Sequence, residues 1–313
     1  MRETLEPGVW GVVATPFAGS TQDVDTDSLA ALVEHYEAIG AVGLTVLGVF
    51  GEAASLAPEE RALVLETVVE STSLPLVVGI TALATRPALE EIRAARAVAG
   101  DRIAAFMVQV NSPNPDIVTG HLHAIHSATA NESEHSDGGV KMVLQDYPVA
   151  SGVSISTAAL ANVVQRSDFV VAVKAEAPPT SLAITELSAA VDISVFGGLG
   201  GQCLLDELAA GAAGAMTGFS FPEALVACVC AWRESGYDAA RNALQPFLPL
   251  INFEQQARIA LAVRKELLRE RGFLADSAVR APAASFPSVL RDSLRTHLAE
   301  AETALESLAV RSH

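Results

Sequence analysis

The chain has 313 residues, half of them apolar, with 20 basic and 37 acidic side chains and a formal net charge of −17. That apolar fraction can bury a large core in one or two domains. The acidic balance argues against nucleic-acid binding, which needs a basic footprint, and no apolar run reaches the roughly 20 residues that cross a bilayer.

The opening MRETLEPGVW has no charged-then-apolar leader pattern, so a cytoplasmic location is expected. Gly8–Pro16 then reads as a strand, and Asp27–Ile39 as a helix with Leu29, Leu32, Val33, Tyr36 and Ile39 at helical spacing. Val42–Leu47 is the second strand. Pro58 opens the next helix at its first turn, and Glu59 and Glu60 suit the positive end of its dipole. Pro75–Ile80 and the helix Pro87–Ala99 follow. Ile103–Val110, Lys141–Asp146, Phe169–Lys174, Ile193–Gly197 and Gly214–Gly218 supply five more strands, with helices predicted at about 116–130, 156–166, 180–190, 202–210 and 222–234. Asn131–Gly139 is polar and glycine-ended and reads as an exposed loop.

Eight βα units with continuous apolar strands such as VVAVK predict a parallel sheet covered on both faces, closed as a (β/α)8 barrel. A doubly wound sheet is the alternative, but no GxGxxG follows the first strand. The barrel is expected over residues 1–235 and a helical extension over 236–313, with helices at about 237–248, 252–271 and 286–308.

Active sites of such barrels lie at the carboxyl ends of the strands. Lysine is scarce: Lys141, Lys174 and Lys265 against 17 arginines. Lys174 ends an apolar strand, and alternation puts it with Ala172 and Glu176 on one face. If Ala172 faces the lumen, so does Lys174, and desolvation there favours a neutral amine able to form a Schiff base. The plainer alternative is a structural lysine paired with Glu176 or another carboxylate. Lys141 begins its strand, at the opposite end. Lys265, in VRKELLRER, reads as part of a solvated basic helix face.

Gly48-Val49-Phe50-Gly51-Glu52 is a glycine-flanked strand-to-helix loop. Its backbone N–H groups can turn toward an anion such as a 2-oxo-acid carboxylate, or it can be a plain tight turn. Of three tyrosines, only Tyr147 falls near a strand end. His121, His123 and His126, with His135, read as a solvated helix rather than a metal site. Cys203, Cys228 and Cys230 read as reduced core residues.

Several of these stretches together resemble the dihydrodipicolinate synthase / N-acetylneuraminate lyase family of class I aldolases. GVWGVVATPF is similar to its first strand, GVFGEAASLAPEER to its GTTGE motif, VVAVKAE to its lysine strand, GAAGAMTGFSFPE to its eighth strand, and Arg280-Ala-Pro282 to its closing Arg-x-Pro. The resemblance implies a homotetramer built as a dimer of dimers. It also implies a 2-oxo acid such as pyruvate held as an imine on Lys174, and an aldehyde as second partner. No metal and no organic cofactor are implied. Val49, Phe50, Gly51, Glu176, Gly198 and Met216 are then the expected substrate-binding positions.

The departures are as informative. Leu144-Gln-Asp-Tyr-Pro148 puts Gln145 where the family has its acid/base tyrosine, and Val49 replaces the relay threonine. The synthase branch's substrate-binding arginine falls near Ala150. The expectation is therefore a Schiff-base lyase of the aldolase or hydratase type on Lys174, distinct from the lysine-biosynthesis synthase. Gln145, Tyr147, Asp146 or Glu176 would manage protons. One alternative is a non-catalytic 2-oxo-acid-binding barrel that has lost its relay. Another is a metal-assisted lyase on Glu52, Asp146 and Glu176, which the opposite parity of Asp146 and Gln145 disfavours.

Overall fold

The structure is a computed structural model that describes residues 2–132 and 138–311, with side chains as far as Leu308. Eight parallel strands close into a barrel: β1 (Gly8–Val12), β2 (Gly43–Val46), β3 (Leu76–Gly79), β4 (Ile103–Gln109), β5 (Met142–Asp146), β6 (Val170–Ala175), β7 (Ser194–Gly197) and β8 (Gly214–Thr217). Neighbours in sequence are neighbours in space, and β8 pairs with β1 to close the ring. The barrel helices are α1 (Thr26–Ala38), α2 (Pro58–Ser71), α3 (Thr85–Ala99), α4 (Pro115–Asn131), α5 (Thr157–Gln165), α6 (Thr180–Ala190), α7 (Leu204–Ala209) and α8 (Pro222–Ser235). A small hairpin, Phe17–Ala18 with Asp23–Val24, lies between β1 and α1 and was not legible in the apolar pattern.

The helix starts have local causes. Asp25 and Asn114 accept N–H bonds from Ser28 at 3.1 Å and Asp116 at 2.9 Å. The Glu60 carboxylate accepts the Ala57 N–H at 2.9 Å, beside Pro58 at the first turn of α2. Strand side chains alternate. One set, including Leu44, Val46, Leu144 and Val173, packs outward under the helices. The other fills the lumen, with Trp10, Val77, Ala105, Met107, Val143, Ala172, Phe196 and Met216 in one cluster. The lumen is therefore solid below its carboxyl end. Met216 belongs to this packed layer and is fully buried.

After α8 come α9 (Tyr237–Leu244), α10 (Leu248–Glu254), α11 (Ala260–Glu270) and α12 (Arg291–Arg311). They join α8 and the β8 end through Phe219, Phe221, Leu225, Phe247, Ile251 and Leu294. The helix predicted at 252–271 is broken. The chain leaves the helix after Glu254, passes through Arg258 at φ 73°, and restarts at Ala260. After the break, α11 turns Arg264 and Lys265 inward, while Arg269 stays near the surface. The helix predicted at 286–308 begins later, at Arg291.

All three cysteines are free, and Cys230 is exposed rather than a core residue. The histidine helix is not solvated throughout. His121 is buried with Nδ1 2.8 Å from the Thr85 hydroxyl, and His126 stacks on Phe169. His135 lies outside the described residues, as does most of the loop predicted at Asn131–Gly139. No helix among the described residues is long and apolar enough to cross a membrane.

Gly43 faces the lumen directly against the Trp10 ring, and the Trp10 indole N–H is fixed to Glu6 O at 3.0 Å. A Gly43→Ala substitution should destabilise the fold by about 1–3 kcal/mol through overpacking, read as a lower urea midpoint at unchanged slope.

Candidate active site at the carboxyl end of the barrel

Register brings the polar side chains together. Gln109 pairs with Gln145, Gln145 with Lys174, and Lys174 with Phe196. Partners across a parallel pair point to the same face, so Gln145 and Lys174 stand side by side at the top of the lumen. Glu176, one step beyond β6, turns in beside them. Its Oε2 accepts from Gln145 Nε2 at 2.6 Å and lies 3.2 Å from Lys174 Nζ. All three side chains are buried. Burial pushes the Glu176 carboxyl above its ordinary range, opposed by the Lys174 charge and the Gln145 hydrogen bond. Glu176 is thus a carboxylate that takes up a proton readily, in contact with an amine.

Gly198 is required by this arrangement. A Cβ there would lie 2.5 Å from Glu176 Cγ. The turn it belongs to is fixed by Thr217, whose hydroxyl donates to Gly198 O and accepts from Gly200 N, both at 2.8 Å. Beneath the same turn Glu207 packs against Gly197 and accepts from the Thr180 hydroxyl at 2.7 Å. Burial raises its carboxyl to about 7.

The β2–α2 loop forms another side of the mouth. A cavity of about 470 Å³ is lined by Gly48, Val49, Met107, Gln109, Gln145, Ala150, Leu261 and Arg280, among others. Val49 is exposed at its rim. The Gly51 N–H donates to Gly48 O at 3.0 Å, so it serves the turn itself. Phe50 stacks under the Arg264 guanidinium, with its ring centroid 3.8 Å from Cζ. Tyr147 caps a short turn after β5, with its hydroxyl raised by burial and by the Glu176 charge. Asp146 follows Gln145 with the opposite parity. It is buried and raised to about 6 by desolvation and by Glu176.

Two residues contradict their sequence reading. Lys265 is not on a solvated face. It is fully buried, ion-paired with Glu52, bonded to Ala278 O at 2.9 Å and 4.2 Å from the Phe17 ring centroid. Glu52 is accordingly no free acid. It sits in the left-handed region at φ 51° and also accepts the Arg280 N–H at 2.8 Å. It locks the β2–α2 loop to the C-terminal segment. Among the described residues no group of three or more His, Cys, Asp or Glu could hold a metal ion. Arg264 was not singled out in the sequence. The available signal was the spacing of Leu261, Arg264, Lys265 and Leu268, which puts both cations on an apolar helix face. Lys141, in contrast, pairs with Glu3 at the amino end of β5, as its position predicted.

A lysine, a carboxyl and an amide thus meet at the open end of a closed (β/α)8 barrel, where such folds carry their chemistry. The sequence profile of the Dihydrodipicolinate synthetase family matches residues 6–301. An L-2-keto-3-deoxyarabonate dehydratase from Azospirillum brasilense is 30% identical over 283 residues, 88% of each chain. A 4-hydroxy-tetrahydrodipicolinate synthase from Methanothrix thermoacetophila is 28% identical over 247 residues, 78% of this chain and 80% of that one. The crystal structure of dihydrodipicolinate synthase from Rhodopseudomonas palustris superposes with a TM-score of 0.83 at 29% identity, covering 95% of this chain and 99% of that one. The chain belongs to the dihydrodipicolinate synthetase family.

Removing one member of the buried Glu52–Lys265 pair leaves an uncompensated charge. Lys265→Met should cost about 3–5 kcal/mol in urea unfolding, and adding Glu52→Gln should recover much of it. The Glu207 carboxyl has a folded pKa above its ordinary 4.5. The native state therefore holds its proton longer than the unfolded chain, and stability falls as pH rises from 4.5 to 7. Glu207→Gln, which keeps the bond from Thr180, should flatten the stability profile across that window by up to roughly 3 kcal/mol.

Proposed function

We propose that the protein is a Schiff-base lyase that acts on a 2-oxo acid through Lys174 and is distinct from the lysine-biosynthesis synthase. The observation that carries this reading is the contact of Lys174 Nζ with Glu176 Oε2 at 3.2 Å, inside a buried mouth. Glu176 takes the ammonium proton, and the neutral amine attacks the C2 carbonyl. The carbinolamine then loses water, with Glu176 returning the proton to the departing oxygen. The resulting iminium draws electrons from the C3 bonds, so neither a metal nor an organic cofactor is needed for the electron sink.

Gln145 cannot transfer protons but orients Glu176 at 2.6 Å and can hold a substrate hydroxyl. Tyr147 directly follows β5 and feels the Glu176 charge, which suits it to hand a proton to a leaving hydroxyl. The kinship with a 2-keto-3-deoxy sugar-acid dehydratase supports loss of water from C3 and C4 of such an acid over addition of an aldehyde. Val49, Ala150 and Leu261 give the cavity one apolar wall, while Thr81, Gln109, Gln145 and Arg280 supply polar groups for a hydroxylated chain. As in the family at large, we infer a homo-oligomer, either a dimer or a tetramer, working in the cytoplasm.

Borohydride trapping with pyruvate and a panel of 2-keto-3-deoxy sugar acids should give one adduct on Lys174 by mass spectrometry. The Lys174→Ala variant should give none, and an adduct that persists there overturns the assignment. Tyr147→Phe should keep the adduct and lose turnover by roughly 100-fold. An adduct with no turnover of any acid in wild type would identify a binding barrel instead.

A further inference from the structure

Arg264 lies on α11 with its side chain aimed into the top of the barrel, and it is 1% exposed. Its Nε donates to Glu254 Oε1, whose companion oxygen accepts the Ser220 N–H at 3.0 Å. Nη1 and Nη2 are also buried, yet have no hydrogen-bond partner among the described residues. A guanidinium keeps its charge under all ordinary conditions, and leaving two of its NH2 groups dry and unpaired is unfavourable. A site that binds a fork-shaped acceptor offsets that cost.

The surroundings place this fork at the lumen. Phe50 of the β2–α2 loop covers one face of the guanidinium at 3.8 Å. Gly218 lies on the other side, where a Cβ would sit 3.2 Å from Cζ and collide with Nη1. Gly218 follows β8 two residues after lumen-facing Met216, so strand alternation turns it inward at the mouth. The absence of a side chain there makes room for the guanidinium in the lumen. Tyr147 is close enough to feel both Arg264 and Glu176. Thr217, next to Gly218, bonds to Gly198 O at 2.8 Å, and Gly198 lies against Glu176, so the fork and the Lys174–Glu176 pair stand at neighbouring strand ends.

We propose that Arg264 binds the carboxylate of the substrate, through Nη1 and Nη2, while Phe50 and Gly218 hold the guanidinium flat. This rests on the reading of Lys174 as the imine-forming residue of a 2-oxo-acid lyase, and it adds a charged fork beside the β2–α2 loop, whose Gly51 N–H is engaged within its own turn. A planar carboxylate matches the fork, whereas a neutral ester or amide gains far less from it.

The test compares pyruvate with its neutral analogue methyl pyruvate in borohydride trapping by wild type, Arg264→Lys and Arg264→Gln. The lysine variant keeps a cation for Glu254 and so guards against misfolding, but it removes the fork. The half-saturating pyruvate concentration should rise about 10-fold or more in Arg264→Lys, and further in Arg264→Gln, while that of methyl pyruvate moves less than about 3-fold. Equal shifts for the acid and the ester, or no shift for either, overturn the proposal and leave Arg264 a packing residue. Oxalate binding by calorimetry needs no imine and separates the two readings. If wild type traps nothing, the lysine assignment fails, yet oxalate binding weakened 10-fold or more by Arg264→Lys would still uphold the arginine site. Unchanged oxalate affinity in a folded variant would overturn it.

Discussion

Closing eight parallel strands into a ring leaves a lumen that only alternate side chains can fill. In this chain Trp10, Met107, Phe196 and Met216 fill it solidly, so water-accessible chemistry is confined to the carboxyl end. Everything about the site follows from that plug. Gln145 and Lys174 occupy the first polar positions above it because strand register carries them there. Glycines such as Gly198 and Gly218 recur at the strand ends because the lumen at that height must take the side chains of Glu176 and Arg264.

The mouth also concentrates charge in a dry place. Lys174, Arg264 and Lys265 are all buried, and each has its own carboxylate: Glu176, Glu254 and Glu52. The pairs differ in how completely they are satisfied. Lys265 and Glu52 bond to each other and to backbone groups on both sides, which is a structural arrangement. Arg264 leaves Nη1 and Nη2 without a partner among the described residues, and Lys174 lies 3.2 Å from Glu176 at the strand end. An isolated ion would be too costly to bury at these sites, so the acidic partners are what permit basic groups in the interior.

Much of this was legible in the sequence. The eight-fold alternation of apolar strands and helices showed the barrel, and parity along VVAVKAE placed Lys174 and Glu176 on one face. Counting back from Pro148 assigns Gln145 to the family's tyrosine position, and strand register sets that residue beside Lys174. The failures came from α11. VRKELLRER has the composition of a surface helix, and its burial depends on the left-handed break at Arg258, which no periodicity announces. The spacing of Leu261, Arg264, Lys265 and Leu268 puts both cations on an apolar face, but with the helix drawn straight from 252 nothing says what that face meets. The two residues are also addressed to partners far away in sequence, Glu52 and Phe50, and such pairings are set by tertiary packing rather than by local pattern.

The Glu52–Lys265 link joins residues 213 positions apart. During synthesis from the amino end, the β2–α2 loop is finished long before its counter-ion exists. At ribosomal rates of about 5–20 residues per second the interval is roughly 10–40 seconds. Throughout it Glu52 is without the cation that neutralises it in the finished protein. The mouth is thus assembled last, and a chain released before α11 emerges has its strands but not the side chains that close the site.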